Sequence, residues 1–298
     1  MIGNCAIDRS FRLPRLPVAG ETILAQESTL DVGGKGANQA VAASRAGPAV
    51  VLCSAIGRDR DGSCIRSRLY SEGVATEFVL ERSGASDQSI VLVAATGENC
   101  IVTSHEMAWS ILPEDTAGAL ACLTPGDVLL MQGNLPRQTT EHCLREGRRR
   151  GARAVLNPAP ISYPYDNLWP LVDVVVMNEV ESRVLTGDRD PRTGARALLR
   201  AGAGVVATTL GRMGALVVDG VCDRHVRAPS VPVVDTTGAG DVFCGVFAAG
   251  LALGLPTEQA AAWAVRSATL SVMRRGTQSA FPTREELASL RPTDPHGP

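Results

Sequence analysis

Val233-Val234-Asp235-Thr236-Thr237-Gly238-Ala239-Gly240-Asp241 runs without a break into Val242-Phe243-Cys244-Gly245-Val246-Phe247-Ala248-Ala249-Gly250-Leu251. β-Branched residues, a turn of small residues and a long apolar segment read as a strand, a tight loop and a buried helix. That layout sets Gly238, Ala239 and Gly240 at a helix N-terminus, where backbone N–H groups lack intrahelical acceptors and the helix dipole favours negative charge. Such a loop suits a phosphate. Asp241 falls in the first turn, and its carboxylate has two readings. One is an acidic helix cap. The other is a general base beside an anion hole, the pairing that phosphoryl transfer to a hydroxyl requires.

Outward from this stretch, strands and helices alternate from about residue 111 onward. Helical patterns cover Pro113 to Leu123, Arg137 to Arg150, Glu179 to Thr186 and residues 194 to 202. Strand patterns cover Asp127 to Gln132, Arg153 to Asn157, Val172 to Met177 and Gly204 to Thr209, and Ala215 to Val218 with Val221 to Val226 reads as a hairpin. Three helices, at roughly 240–253, 257–273 and 283–290, close the chain. This alternation predicts a mostly parallel sheet with helices on both faces. Ligands of such sheets gather at the carboxyl ends of the strands. Gly3 to Asp8, Gln132 to Pro136, Asn157-Pro158, Asn178 to Glu181, Thr209 to Gly211 and Gly238 to Asp241 all follow predicted strands, so they can meet on one edge.

The N-terminal third differs. Only two residues precede Gly3, which predicts a short first strand or a trimmed start. Residues 9–31 are polar and broken by Pro14, Pro17 and Gly20, with a Gly-Glu-Thr turn leading into Ile23-Leu24-Ala25, which predicts short, half-exposed strands. Gly33-Gly34-Lys35-Gly36-Ala37-Asn38-Gln39-Ala40 is a glycine-rich turn entering an Ala-rich helix; it has neither the P-loop spacing nor the dinucleotide fingerprint. Its glycines admit a polyol close to the backbone, and Asn38 offers an amide to hydroxyls, although a plain helix start has the same look. After a strand at Val50 to Ile56 and a helix at Asp61 to Glu72, the period falls to two between about Thr76 and Thr103, the mark of a β-hairpin. With residues 9–31 this segment predicts a small separate sheet that acts as a lid.

Composition narrows the partners. The chain has 298 residues and a formal net charge of −2, which gives no basic face for nucleic acid; the arginines from Arg145 to Arg153 read as the solvated end of a helix. Eight cysteines without a CxxC pair point to reduced, core-filling thiols and a cytoplasmic setting. No apolar run reaches the roughly 18 residues that span a membrane.

In its ordered motifs the sequence resembles the ribokinase family of sugar kinases, the PfkB carbohydrate kinases. Gly33 to Ala40 is similar to the family's first signature and Asp235 to Asp241 to its second, with Asn157-Pro158-Ala159-Pro160, Asn178-Glu179-Val180-Glu181, Thr209-Leu210-Gly211 and Arg275-Gly276-Thr277-Gln278-Ser279 between and after them. The resemblance implies a three-layer α/β domain over the whole chain, with lid segments at about 9–31 and 76–104, that transfers the γ-phosphate of ATP to a sugar hydroxyl. It implies that Asp241 is the base and that the backbone of Gly238, Ala239 and Gly240 forms the anion hole. Asn178, Thr209 and Gly211 fall on the nucleotide side, and Glu181 with Asn178 matches the motif that organises Mg²⁺. It also implies K⁺ beside the anion hole, held by Asp235 and by carbonyls of Thr237, Ser271, Arg274 and Gly276. The family's last K⁺ ligand, commonly a serine hydroxyl, falls at Ala280, whose methyl cannot coordinate a hard cation. In the family the lid often pairs across a homodimer.

For the sugar, the resemblance implies Asp8, Gly34, Lys35, Asn38 and Asn134. Two ribose-reading positions depart from the pattern: Ala6 stands where asparagine is expected, and Asn134 where glutamate is expected. The Gly-Ala-Asn run after the lid hairpin is replaced by Glu106-Met107-Ala108-Trp109. A mismatched buried polar group discriminates strongly between substrates, so ribose is joined by deoxypentoses, other pentoses, polyols and nucleosides as candidates. A sugar-binding regulator that has lost catalysis is the alternative from another class; a NAD-dependent dehydrogenase lacks its fingerprint.

Overall fold

The computed structural model of the chain describes residues 1–96 and 98–292. Strands β1 (Ala6–Leu13) and β2 (Glu27–Gly33) precede helix α1 (Lys35–Arg45), and β3 (Val50–Gly57), α2 (Arg60–Ser71) and β4 (Val74–Arg82) follow. A hairpin of β5 (Gln88–Ala94) and β6 (Asn99–Thr103) leads through the short helices α3 (Glu106–Trp109) and α4 (Ala117–Ala121) to β7 (Val128–Gln132), α5 (Arg137–Arg149), β8 (Arg153–Asn157) and β9 (Val174–Asn178). The C-terminal half continues with α6 (Glu179–Thr186), α7 (Pro191–Arg200), β10 (Val205–Thr209), β11 (Ala215–Val218), β12 (Asp223–Val226), α8 (Ala239–Ala252), α9 (Thr257–Ser271) and α10 (Arg284–Leu290).

Six strands lie in the order β12-β11-β10-β9-β8-β7, parallel from β7 to β10 and antiparallel through β11 and β12. The parallel pair β3-β4 extends this sheet through one residue, since Ile2 bridges Cys53 of β3 and Met131 of β7. The short first strand expected is thus reduced to a single bridging residue in the central sheet, and regular strand structure starts at Ala6 in the other sheet. Alternate residues of β9 point to opposite faces: Val174 and Val176 join the core that holds Phe243, Phe247 and Trp263, while Val175 and Met177 join that of Leu144, Trp169 and Leu198. Helices on both faces bury both sides of the strands, which explains their unbroken apolar runs and gives the expected three layers.

The second sheet has the order β2-β1-β5-β6, with β1 antiparallel to β2, parallel to β5, and β5 antiparallel to β6. It is the small sheet expected from residues 9–31 and the hairpin, but residues 74–82, partly read into it, pair with β3 in the central sheet instead. Two local expectations change. Ile23-Leu24-Ala25 lies outside the strands, with Leu24 exposed. Val233-Val234 forms no strand either: Pro232 offers no N–H, both valines are half-exposed, and the segment is pinned by Val234 and Asp235 N–H groups on the Val272 carbonyl at the end of α9.

All eight cysteines are free: Cys5, Cys53, Cys143 and Cys244 are buried, and Cys64, Cys100 and Cys122 are exposed. No described helix is long and apolar enough to cross a membrane. Arg145 and Arg149 of α5 pair with Glu141 and Glu146, as a solvated face does.

Candidate active site

The loop before α8 turns at Gly238, which adopts the left-handed φ of 75° and leaves no space for a Cβ against the Phe281 ring. A side chain there would be strained in its backbone and would collide with its neighbour. Ala239 N–H is spent on the Thr236 carbonyl, and Val242 N–H on that of Gly238. The N–H groups of Gly238, Gly240 and Asp241 find no acceptor among the described residues. Together with the dipole of a fourteen-residue helix, they make a concave donor set for an anion. The Ala239 N–H, expected to be part of that set, closes the turn instead.

Asp241 is buried beneath the loop and both its oxygens are held. Asn38 Nδ2 donates to Oδ2 and Gln39 Nε2 to Oδ1, each at 3.0 Å, and Lys35 Nζ lies 3.8 Å from Oδ1. These three residues come from the first two turns of α1, which packs across α8. An acidic helix cap would be turned toward its own N-terminus; this carboxylate instead accepts from Asn38 and Gln39 of a second helix.

The amides around it are ordered by the acceptor at their centre. Because a carboxylate only accepts, Gln39 must present its NH₂, and its Oε1 then accepts from Gln132 Nε2 at 2.8 Å. Gln39 Nε2 also reaches Asn157 Oδ1 at 3.2 Å, and Asn157 Nδ2 donates to the Val176 carbonyl. On the other side Asn38 Oδ1 accepts from Gln278 Nε2 at 3.1 Å, whose Oε1 accepts from Arg68 Nε. Gln132 Oε1 is left buried with no partner, the end of a chain of orientations that starts at Asp241.

Asp8 lies on β1 opposite Asp31 of β2 and Ser89 of β5. Burial, with help from Asp241 and Asp31 and against a hydrogen bond from Ser89, raises its carboxyl from the usual range to about 6. Burial lowers the Lys35 ammonium, yet the carboxylates of Asp241 and Glu181 outweigh it and raise its pKa. Asp8, Lys35, Asn38, Asp241 and Glu181 thus share one electrostatic neighbourhood. Gly34 is the N-cap of α1 with φ 84° and packs against the backbone of Cys5 and Ala6. Asn134 stands apart, at a cavity of about 210 Å³ that Asn4, Ser104, His105, Trp109 and Pro160 also line. Its Oδ1 is buried and unpartnered.

Asn178 caps α6 in a reciprocal box: its Oδ1 accepts from Glu181 N–H at 2.8 Å, and Glu181 Oε2 accepts from Asn178 N–H at 2.9 Å. One oxygen of Glu181 remains for other work. No group of three or more His, Cys, Asp or Glu side chains able to hold a metal occurs among the described residues. That donor set fits Mg²⁺, which keeps several waters and binds through one or two carboxylates and substrate phosphates. Thr209 is the register partner of Asn178 across β9 and β10, and Gly211 begins the turn after it with φ 55°, so the three residues expected on the nucleotide side meet at one sheet edge.

Asp235 bonds two of the residues named for K⁺, Thr237 and Gly276, and adjoins a third, Ser271. Its Oδ1 accepts from Thr237 N–H at 3.0 Å and its Oδ2 from Gly276 N–H at 3.3 Å, and its own N–H bonds Val272 beside Ser271. Arg274 turns its side chain away to Glu286. The donor set fits a monovalent cation poorly, however: Arg12 Nη2 from the lid stands 3.3 Å from Asp235 Oδ2, and Ala280 brings only a methyl.

The residues that the sequence left unassigned are Gln39, Gln132, Asn157, Gln278 and Arg12. Gln39, Asn157 and Gln278 sit inside quoted motifs and Gln132 at a quoted strand end, and burial of an amide marks each of them; Arg12, on a polar strand, carried no signal.

Comparison with known proteins agrees with this geometry. The pattern of the pfkB family carbohydrate kinases matches residues 1–284. A ribokinase of Bacillus subtilis (strain 168) is 33% identical over 292 residues, covering 97% of this chain and 98% of its own. A deoxyribokinase of Salmonella typhi is 32% identical over 295 residues, covering 96% of each. Among solved structures, the Arabidopsis thaliana ribokinase complexed with ribose and ATP superimposes with a TM-score of 0.87 at 25% identity, over 98% of each chain.

Proposed function

Since the chain belongs to the pfkB family of carbohydrate kinases and is an ATP-dependent sugar kinase, we propose that its acceptor is ribose or a closely related pentose and that Asp241 is its catalytic base. The observation that carries this reading is the Asp241 carboxylate, oriented by two amides and a lysine beneath an unsatisfied set of backbone N–H groups.

The sugar hydroxyl to be phosphorylated lies against Asp241, which removes its proton as the oxygen attacks the γ-phosphorus. Asn38 and Gln39 keep the carboxylate in one orientation, so little reorganisation is needed at the moment of transfer. Backbone N–H groups of Gly238 and Gly240 receive the charge that develops on the transferred group. Lys35, kept protonated by Asp241 and Glu181, adds a positive charge at the same place. Asn178 and Glu181 are the residues that would hold Mg²⁺, which when bound neutralises the β- and γ-phosphates. Thr209 and Gly211 border the nucleotide. Asp8, Gly34 and Asn38 receive the sugar, and the small sheet closes over it and excludes water. The expectation of K⁺ finds less support, because Asp235 already faces a guanidinium.

The cavity at Asn134 favours a second reading of the acceptor. His105 and Trp109 meet there edge to face, with ring centroids 4.3 Å apart, and a planar substituent on the sugar could stack on them. That would make a nucleoside the substrate. A lapsed regulator is the weaker reading, since a base held this completely serves no purpose in binding alone. Unpaired cysteines, four of them buried, suit a reducing cytoplasm. The outer lid face, with Leu30 and Val102 more than half exposed, suits a homodimer.

ADP release with ATP and Mg²⁺, measured across pentoses, hexoses, polyols and nucleosides, tests the proposal. Turnover of ribose or deoxyribose is expected, and Asp241→Asn should lower kcat by about 10²- to 10⁴-fold. Full activity of that variant would falsify the assignment of the base.

A further inference from the structure

Arg12 has no part in the scheme above. It lies on β1 two and four residues after Ser10 and Asp8, on the same face of the lid sheet, and therefore on the face turned to the site. From there its Nη2 reaches Asp235 Oδ2 at 3.3 Å, across 223 positions of sequence. Its Nε stands 3.6 Å from Glu27 on the next strand. Asp235 is the more enclosed partner, with its side chain 11% exposed against 32% for Arg12.

A carboxylate this buried needs a counter-charge, because desolvation penalises a lone ion far more than a neutral group. The N–H groups of Thr237 and Gly276 satisfy lone pairs but bring no net charge. Among the described residues Arg12 is the cation that touches it. A second, mobile cation in the same space would be repelled by the guanidinium, and it would meet the methyl of Ala280 rather than an oxygen. The consequence reaches the anion hole through the backbone: Asp235 Oδ1 fixes Thr237 N–H, and Thr237 leads directly into Gly238.

We propose that Arg12 is a tethered replacement for a monovalent cation: its guanidinium neutralises Asp235 and sets the loop from Thr236 to Gly240 in shape, so phosphoryl transfer does not depend on K⁺. Arg12 is a positioning residue, acting through Asp235 without touching the substrate. Because it is carried by the lid, the loop is fully formed only with β1 lying over it. The inference rests on the kinase reading of that loop.

The test compares the native protein with Arg12→Ala and Arg12→Lys in K⁺-free buffer and in K⁺ at matched ionic strength, reading kcat, KM for sugar, and the melting temperature. The native protein and Arg12→Lys should change by less than about twofold on adding K⁺, while Arg12→Ala should lose about tenfold in kcat without K⁺ and recover most of it with K⁺. K⁺ should raise the melting temperature of Arg12→Ala alone, and the additional change Asp235→Asn should abolish that rise. Strong K⁺ activation of the native protein overturns the proposal. So does an Arg12→Ala variant that matches the native protein without K⁺, or one that folds by circular dichroism yet gains neither activity nor stability from it. The melting arm needs no turnover, so a failed choice of sugar or of base cannot be mistaken for a failed role of Arg12.

Discussion

Gln39 shows how much of the site is set by single amides. It is fully buried and serves Asp241, Gln132 and Asn157 at once. Replacing it with glutamate puts a second carboxylate against Asp241 Oδ1, and like charges this close raise the pKa of one of the pair. In Gln39→Glu the acid limb of the kcat–pH profile is therefore expected to move alkaline by roughly one unit or more, while Gln39→Leu, which removes one donor to the carboxylate but adds no charge, lowers kcat and moves the limb less. Asp8 makes a different trade. Its carboxyl holds a proton to about pH 6 in the fold and to near pH 4 when unfolded, so between those values the folded state binds the extra proton. Stability must then fall as pH rises from about 4 to about 6, and the loss persists above. Asp8→Asn removes the burden: denaturant melts should show it more stable than the native protein at pH 8, by roughly 3 kcal/mol at most, with the difference vanishing near pH 4, and its KM for sugar should rise. The members of this site that were legible in sequence either carry a local signature, a glycine at a turn or an acid at a helix start, or fall, as Asp8, Lys35, Asn38 and Asn178 do, at positions named by the family resemblance. Gln132 was marked only as a strand end, Asn157 only by a strand end and a quoted motif, and Arg68 not at all, because their roles lie in partners 93 to 210 positions away.

The crossing of α1 and α8 brings those partners together. Gly245 lies at the contact, where an added Cβ would stand 2.5 Å from the Gln39 carbonyl oxygen and 2.7 Å from Ala42 Cβ. Backbone on the facing helix has no room to yield, so Gly245→Ala forces the helices apart; overpacking of this kind costs about 1–3 kcal/mol. A lower melting temperature is expected together with a lower kcat, since Asn38 and Gln39 retreat from Asp241 as α1 moves. A fall in stability with kcat unchanged would show that the crossing supports the fold alone. Most elements were readable because their apolar period and terminal residues agree: Glu179–Thr186 and Arg153–Asn157 form where the pattern sets them. Val233-Val234 and the start of the chain were not. β-Branched residues favour a strand only where a neighbour offers its edge; Val272 offers one carbonyl, and Ile2 one bridge on each side.

At the scale of the molecule, the lid is joined to the body through its first residues: one continuous segment passes from the Ile2 bridge, through Asn4 against Gly36, to Asp8 and Arg12. Its outer face sets the apolar Leu30, Ile90 and Val102 in one register row, with Arg9 between Leu30 and Ile90, and such a patch seeks cover. Sedimentation is expected to find a dimer, and Leu30→Glu with Val102→Glu a monomer; a native monomer at all concentrations would refute it. The thiols offer an independent gauge of the same surface. Burial pushes the Cys5 and Cys143 thiols up to about 12 and that of Cys53 to about 11, so alkylating reagents, which need the thiolate, pass them by. Cys64 and Cys122 sit exposed on the body, and Cys100 sits exposed on β6 of the lid, on the same face as Val102. The native chain thereby carries its own footprinting probe and its own internal standards: the labelling rate of Cys100, divided by that of Cys64 or Cys122 in one mass spectrum, measures lid coverage with no engineered tag.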